Sequence, residues 1–226
     1  MLIMGSLEVL IDMKILVTGF DPFGEDTINP AFEAVKLLPS KIGNGDIVTE
    51  EIPTVHGKCG VVLRNAIEKH KPNAVLCIGQ AGGRSSISIE KVAVNLAEAR
   101  IPDNENNQPS DQPIVKSGPT AYFTNLPIKA MVQNVKKHNI PSSISYTAGT
   151  FVCNDIMYRL MHMIATEYTD IRGGFIHVPF DTAQVINRPD GTPSMPIATI
   201  AKGLEYAIEA ILTHDVDITG IAGATH

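Results

Sequence analysis

Apolar runs and amphipathic stretches alternate along the chain. KILVTG (14–19) is short, apolar and β-branched and ends in glycine, which predicts a buried strand. NPAFEAVKLL (29–38) follows, with Asn29 at the N-cap and Pro30 in the first helical position. DIVTEEI (46–52) alternates and predicts a second strand, GVVLRNAIEKH (60–70) a helix stopped before Pro72, and AVLCIG (74–79) a third buried strand. ISIEKVAVNLA (87–97) reads as extended, with a shift of phase near Lys91. Residues 127–139 predict a helix, 143–149 a strand, 153–166 a helix, 173–179 a strand closed by Pro179, and 196–212 the last long helix.

Strands alternating with helices imply an α/β chain whose mainly parallel, twisted sheet is covered on both faces. No internal repeat or interdomain linker interrupts the pattern, so residues 13–226 read as a single catalytic-sized domain. MLIMGSLEVLID (1–12) is apolar but acidic, with no basic flank and no small-residue cleavage site. It does not read as a signal peptide; Met13 opens the first strand, so residues 1–12 read as an N-terminal extension outside the fold or as an upstream start. The polar stretch 100–120, rich in Pro, Asn, Asp and Gln, predicts a long loop, and loops of that length are usually functional or mobile.

Composition narrows the class. Hydrophobic residues make up 44% and charged residues 19% of the 226, which supplies a core to bury. A net charge of -6 leaves no electrostatic footprint for nucleic acid, and no apolar segment is long enough to span a membrane. Cys59, Cys77 and Cys153 are odd in number and widely spaced, which fits free thiols in an intracellular, cytoplasmic protein better than disulfides or a zinc site. No metal or other cofactor is indicated. The Gly-rich GQAGGR (79–84) lacks the spacing of either phosphate-binding fingerprint.

Cys153 stands where the loop TAGTF becomes a helix, on the same face as Ile156, Met157 and Leu160. It reads either as a small buried hydrophobe or as a nucleophile whose thiolate is favoured by the positive end of the helix. In open α/β sheets ligands bind beyond the carboxyl ends of the strands, and Phe20, Phe23, Gln80, Cys153 and His177 all follow or end predicted strands. Glu90 shares the parity of Val92, Val94 and Leu96, and a carboxylate among apolar neighbours needs a partner. A histidine that it orients would serve, as would an arginine such as Arg100; a bulge at the phase shift would instead let Glu90 reach water. A Cys, a His and a carboxylate are the parts of a thiol-based acyl-transfer site.

The segments TGFDPFG, NP (29–30), GQAGGR, IEKVAVNLAEARIPDN, AGTFVCN and GGFIHVPF resemble, in that order, the motifs of the pyroglutamyl peptidase type I family of cysteine peptidases, also called pyrrolidone carboxyl peptidases. The resemblance spans about residues 13 to 212. It implies a three-layer α/β/α sandwich, a homotetramer, and hydrolytic removal of N-terminal pyroglutamate from peptides through a thioester acyl-enzyme. By the same resemblance Cys153 is the nucleophile, His177 the general base and Glu90 its acid, while Arg100 lies near the oxyanion. Phe20, Phe23 and Gln80 match the pocket for the lactam, and Phe151 and Val152, beside the nucleophile, are expected to complete its wall. The substrate's chemistry fits such a pocket, because a pyroglutamyl N-terminus carries no ammonium group. Aromatic rings enclose its flat ring, and Gln80 offers both donor and acceptor to its amide. Two rivals remain: a nucleoside phosphorylase on a similar sandwich, for which Arg84 is the only hint of an anion site, and a catalytically silent binding protein that keeps the scaffold.

Overall fold

A computed structural model describes residues 13–223; the expected extension, residues 1–12, lies outside the described residues. In chain order the elements are β1 (Met13–Phe20), α1 (Pro30–Lys36), β2 (Lys41–Ile42), β3 (Gly45–Ile52), α2 (Lys58–His70), β4 (Ala74–Gln80), β5 (Ile87–Glu90), β6 (Val92–Val94), β7 (Ala121–Phe123), α3 (Ile128–Lys137), β8 (Ser142–Ser145), α4 (Val152–Thr166), β9 (Arg172–Val178) and α5 (Ile197–Thr213). A 3-10 turn, Thr182–Val185, follows β9.

Seven strands form the central sheet in the order β2-β3-β1-β4-β9-β5-β8. The strands β3, β1, β4 and β9 run parallel, and the buried runs expected at 14–19, 74–79 and 173–179 lie at its centre. Alternation along each strand divides the core. Ile15 and Val17, Leu76 and Ile78, and Ile176 and Val178 face α1, α3 and α5. Leu16, Val75, Cys77 and Phe175 face α2 and α4. Helices therefore cover both faces, giving the three layers, and each fully buried Leu or Ile contributes roughly 1.5–3 kcal/mol to holding them together.

Two departures from the sequence reading bear on the site. The strand β5 runs antiparallel to β9, and β8 is parallel to β5. Glu90 and the segment leading to Cys153 therefore do not leave the same carboxyl edge as Phe20, Gln80 and His177. Strand parity records which face a residue occupies but not which way the strand runs, so the shared-edge argument holds only for β1, β4 and β9. The extended stretch 87–97 also breaks at Lys91. Glu90 ends a strand of the central sheet, whereas β6 pairs with β7 in a separate two-stranded sheet and buries Ala93 rather than Val92 or Val94. The parity once shared by Glu90 and those valines ends at that break.

Local chemistry sets the entry to α1. The Asn29 side chain accepts from Ala31 N at 3.1 Å and donates to Asp21 O at 2.9 Å, so the cap also pins the loop after β1. Gly19 is required there, since a Cβ would stand 2.6 Å from Phe32 Cα. The loop 100–120 is anchored rather than loose. Asp103 accepts from the backbone N–H groups of His56, Glu105 and Asn107, and Asn104 reaches Pro22 O at 2.9 Å.

Candidate active site

The site forms on the face of the sheet covered by α2 and α4. His177 lies one residue from the end of β9, and its register partner on β4 is Gly79. The missing side chain at Gly79 makes room for the thiol of Cys153, since a Cβ there would fall 2.9 Å from Sγ. Cys153 thus stands over the strand beside that of His177. The following residue fixes its helix to the strand after Glu90. Asn154, fully buried, accepts from Val94 N at 3.0 Å and donates to Val94 O and Leu96 O, taking the place of a neighbouring strand.

Glu90 is fully buried, and its Oε1 accepts from both His177 Nδ1 and Arg84 Nη1 at 2.7 Å. Nδ1 donates to the carboxylate, so Nε2 on the far side of the ring is the imidazole's acceptor. Both the histidine and an arginine therefore meet Glu90. The arginine is Arg84, in the Gly-rich loop, and not Arg100. Burial alone would raise the Glu90 carboxyl, but the hydrogen bond and charge of His177, with smaller help from Ser145 and Arg84, hold it below the ordinary range. Burial lowers the His177 imidazole, and Arg84 adds to that, against the opposing pull of Glu90.

The positive end of α4 does not decide the state of the thiol. Burial first, and then the nearby Glu90 carboxylate, push Cys153 up to about 12, although Arg84 and the residue's own backbone N–H pull the other way. Burial thus favours the neutral form of both the thiol and the imidazole. The helix start nevertheless retains donors. Phe151 at the N-cap offers no side-chain acceptor to the N–H groups of the first turn.

A cavity of about 520 Å³ opens beside Cys153. Phe20, Phe23, Gln80, Phe151 and Arg100 all line it, as do Phe180 and Arg188. Phe23 and Phe151 pack with ring centroids 5.3 Å apart, and His56 meets Phe151 edge-on at 5.2 Å. Phe20 is the last residue of β1, not a loop residue; only 3% of its surface is exposed, and it belongs to the core as well as to the wall. Val152, expected in the wall, instead packs with no exposed surface into the core cluster that holds Ile156, Leu160 and Phe175. Gln80 Oε1 accepts from Gln184 Nε2 at 3.0 Å. Sequence reasoning missed Gln184, Asn154 and Gly79, which act through partners 104, 60 and 74 residues away in the chain. The amide directly after the cysteine in VCN was the one visible signal, since an Asn in a helical first turn is there for its hydrogen bonds.

A family model described as pyroglutamyl peptidase matches residues 13–214. The chain belongs to the pyroglutamyl peptidase family. It is accordingly a hydrolase of the cysteine-peptidase class. A pyrrolidone-carboxylate peptidase of Enterococcus faecalis is 58% identical over 214 residues, which cover 95% of this chain and 100% of that protein. Another, of Finegoldia magna, is 55% identical with the same coverage. The crystal structure of pyroglutamyl peptidase I from Bacillus amyloliquefaciens superposes with a TM-score of 0.89 at 50% identity, covering 91% of this chain and 100% of that one. The pyrrolidone carboxyl peptidase of Thermococcus litoralis, at 37% identity, superposes with a TM-score of 0.88 over 92% of this chain and 99% of that one. The pyroglutamyl peptidase fold is thus the α/β arrangement described above, and no helix among the described residues is long and apolar enough to cross a membrane.

Proposed function

We propose that this chain removes N-terminal pyroglutamate from peptides, with Cys153 as nucleophile, His177 as general base and acid, and Glu90 as the group that orients the imidazole. The observation that carries this reading is the Glu90–His177 hydrogen bond of 2.7 Å on the sheet face where Cys153 packs against Gly79. The Sγ proton passes to His177 Nε2, and sulfur attacks the carbonyl that links pyroglutamate to the next residue. Uncapped N–H groups of the first turn of α4 receive the developing oxyanion, with Arg100 at the rim as a further positive charge. The imidazolium, stabilised by Glu90, protonates the departing amine. Neutral His177 then activates water to hydrolyse the thioester, which restores the thiol.

Phe20, Phe23 and Phe151 supply flat apolar walls for a lactam ring, and Gln80 supplies the amide that meets it. No carboxylate of the cavity wall is needed to hold an ammonium group, because this substrate has none. The three cysteines, all free, favour a reducing cytoplasmic setting. A homotetramer is the assembly that the family resemblance supports, and light scattering of the purified chain tests it. The activity is tested with a chromogenic pyroglutamyl amide, before and after alkylation of thiols. Hydrolysis abolished by alkylation is expected, and lack of hydrolysis by the untreated enzyme would overturn the reading. Matched glutaminyl and prolyl amides should be at least ~10³-fold poorer substrates, since each must desolvate a charged amine and leaves the site's amide unmatched.

A further inference from the structure

The hydrogen bonds behind Gln80 have a polarity that starts from an unambiguous donor. The backbone N–H of Asp181 donates to Gln184 Oε1 at 2.9 Å. A backbone N–H can only donate, so the oxygen of the Gln184 amide must face it and the nitrogen must face away. That nitrogen, Nε2, donates to Gln80 Oε1 at 3.0 Å. The oxygen of Gln80 is thereby engaged behind the cavity wall, and its Nε2 has no protein partner among the described residues. Asp181 is itself held. Its carboxylate accepts from Ala183 N at 3.0 Å and from Ile197 N at 3.2 Å, so the turn Thr182–Val185, closed by the Asp181–Gln184 capping box, is tied to the start of α5.

We infer that Gln184 is a positioning residue for substrate selection: it sets the Gln80 amide so that the site presents an N–H donor, and not a carbonyl, to the ligand. The group so read is a carbonyl oxygen of a neutral ring amide, which rests on the pyroglutamyl reading above. A free Gln side chain would turn either end toward the cavity. The relay from Asp181 removes that choice, so a ligand with a donor at the matching position meets another donor and is rejected.

The test is Gln184→Glu beside Gln184→Ala, with kcat and KM measured on a pyroglutamyl chromogenic amide and melting temperature recorded for each. Glutamate is nearly isosteric, suits the capping box and still accepts from Asp181 N, but it has no N–H for Gln80. The Gln80 amide should then turn to donate to the introduced carboxylate and point its oxygen at the substrate carbonyl. The expected result is a KM raised about 10-fold or more in Gln184→Glu with kcat little changed, and a smaller rise in Gln184→Ala, whose Gln80 is merely released. Lowering the pH should narrow the KM gap between Gln184→Glu and wild type, because protonation returns a donor O–H to the carboxyl. A structural role would give the reverse order, with alanine the worse change and glutamate close to wild type. That order, or a wild-type KM in Gln184→Glu, would overturn the inference while wild-type turnover of the pyroglutamyl amide left the function standing. Absence of turnover in the wild-type enzyme would remove the function itself.

Discussion

Gly79 and Cys153 meet so closely that the strand has no room for a side chain at this point: a Cβ on Gly79 would lie 2.9 Å from Sγ and 2.7 Å from the Phe175 ring. The backbone there is not in the left-handed region, so the demand for glycine is one of space alone. Gly79→Ala should therefore displace the Cys153 thiol from its place over β4. A misplacement of this kind is expected to lower kcat/KM by about 10²-fold, with a stability loss of about 1–3 kcal/mol from the crowding of Phe175. Urea unfolding and steady-state kinetics separate the two effects, and an alanine variant with unaltered kinetics would remove Cys153 from the reaction centre.

Cys153→Ser keeps nearly the same volume over Gly79 but replaces the thiol by a hydroxyl that is far harder to ionise. The expected loss in kcat is at least ~10³-fold, with melting temperature close to wild type. Cys59 and Cys77 are fully buried, and burial raises both thiols, Cys77 to about 12. Serine at either position should leave the thiol dependence of the activity in place. Retained turnover in Cys153→Ser would reassign the nucleophile.

The protonation balance gives a signed pH prediction. Burial and Arg84 lower the His177 imidazole from its ordinary 6.5, while Glu90 raises it. The acid limb of kcat/KM, where His177 becomes protonated and can no longer accept the thiol proton, should inflect below 6.5. Glu90→Gln removes this opposing influence, so that inflection should move to still lower pH. The same change removes the negative charge that raises Cys153, so alkylation of the thiol at a fixed mildly alkaline pH should become faster even as kcat falls by about 10²–10⁴-fold. An acid limb displaced upward in Glu90→Gln would contradict the assigned pairing.

Much of this arrangement is legible in the chain because long periodic segments report burial directly. The central strands, α2 and α5, and the Asn29–Pro30 entry to α1 all follow from local pattern. Cys153, His177 and Glu90 stand out as chemically unusual residues among apolar ones. Strand direction leaves no trace in parity, so the reversal of β5 and β8 was hidden, and Ala121–Phe123 is too short and polar on both sides to signal β7. Arg84 was visible only as a possible anion ligand. Its six-residue return to Glu90 depends on the turn at Gly83, whose φ of 88° no periodicity encodes. Gln184 and Gly79 have meaning only through distant partners.

Asp155 tests how the start of α4 is held. Its side chain is 2% exposed and accepts from His56 Nδ1, Gly57 N and the Arg159 guanidinium. Burial alone would raise this carboxyl, but His56 and Arg159 outweigh it and hold it below its ordinary value of 3.8. The stability it contributes is therefore present above 3.8 and lost as pH falls through the lower folded value. Asp155→Asn should destabilise the fold by about 3–5 kcal/mol at neutral pH, since it leaves Arg159 and His56 beside a neutral group. The difference should shrink under acid. Equal urea midpoints at pH 7 would show that the cluster does not hold the helix.

Phe20 and Phe23 close the same cavity from opposite situations, and their alanine variants should separate accordingly. Phe20 packs in the core, with its ring 6.5 Å from that of Phe175, so Phe20→Ala leaves a void beneath the sheet edge. A loss of about 3–5 kcal/mol is expected, together with weaker substrate binding, and kinetics alone cannot divide the two. Phe23 is only partly buried, and its ring packs against that of Phe151, 5.3 Å away. Removing that contact should cost about 0.5–1.5 kcal/mol, the range of a single aromatic pair. Its effect on the ligand should be larger in proportion, because the ring lines the cavity proposed to hold the lactam. We expect Phe23→Ala to raise KM for a pyroglutamyl amide by about 10-fold with kcat little changed, since the thiol and imidazole sit on other elements. Urea unfolding and KM measured on the same two variants decide the matter. A Phe23→Ala protein that loses as much stability as Phe20→Ala and keeps the wild-type KM would return Phe23 to the core and leave the lactam without its outer wall.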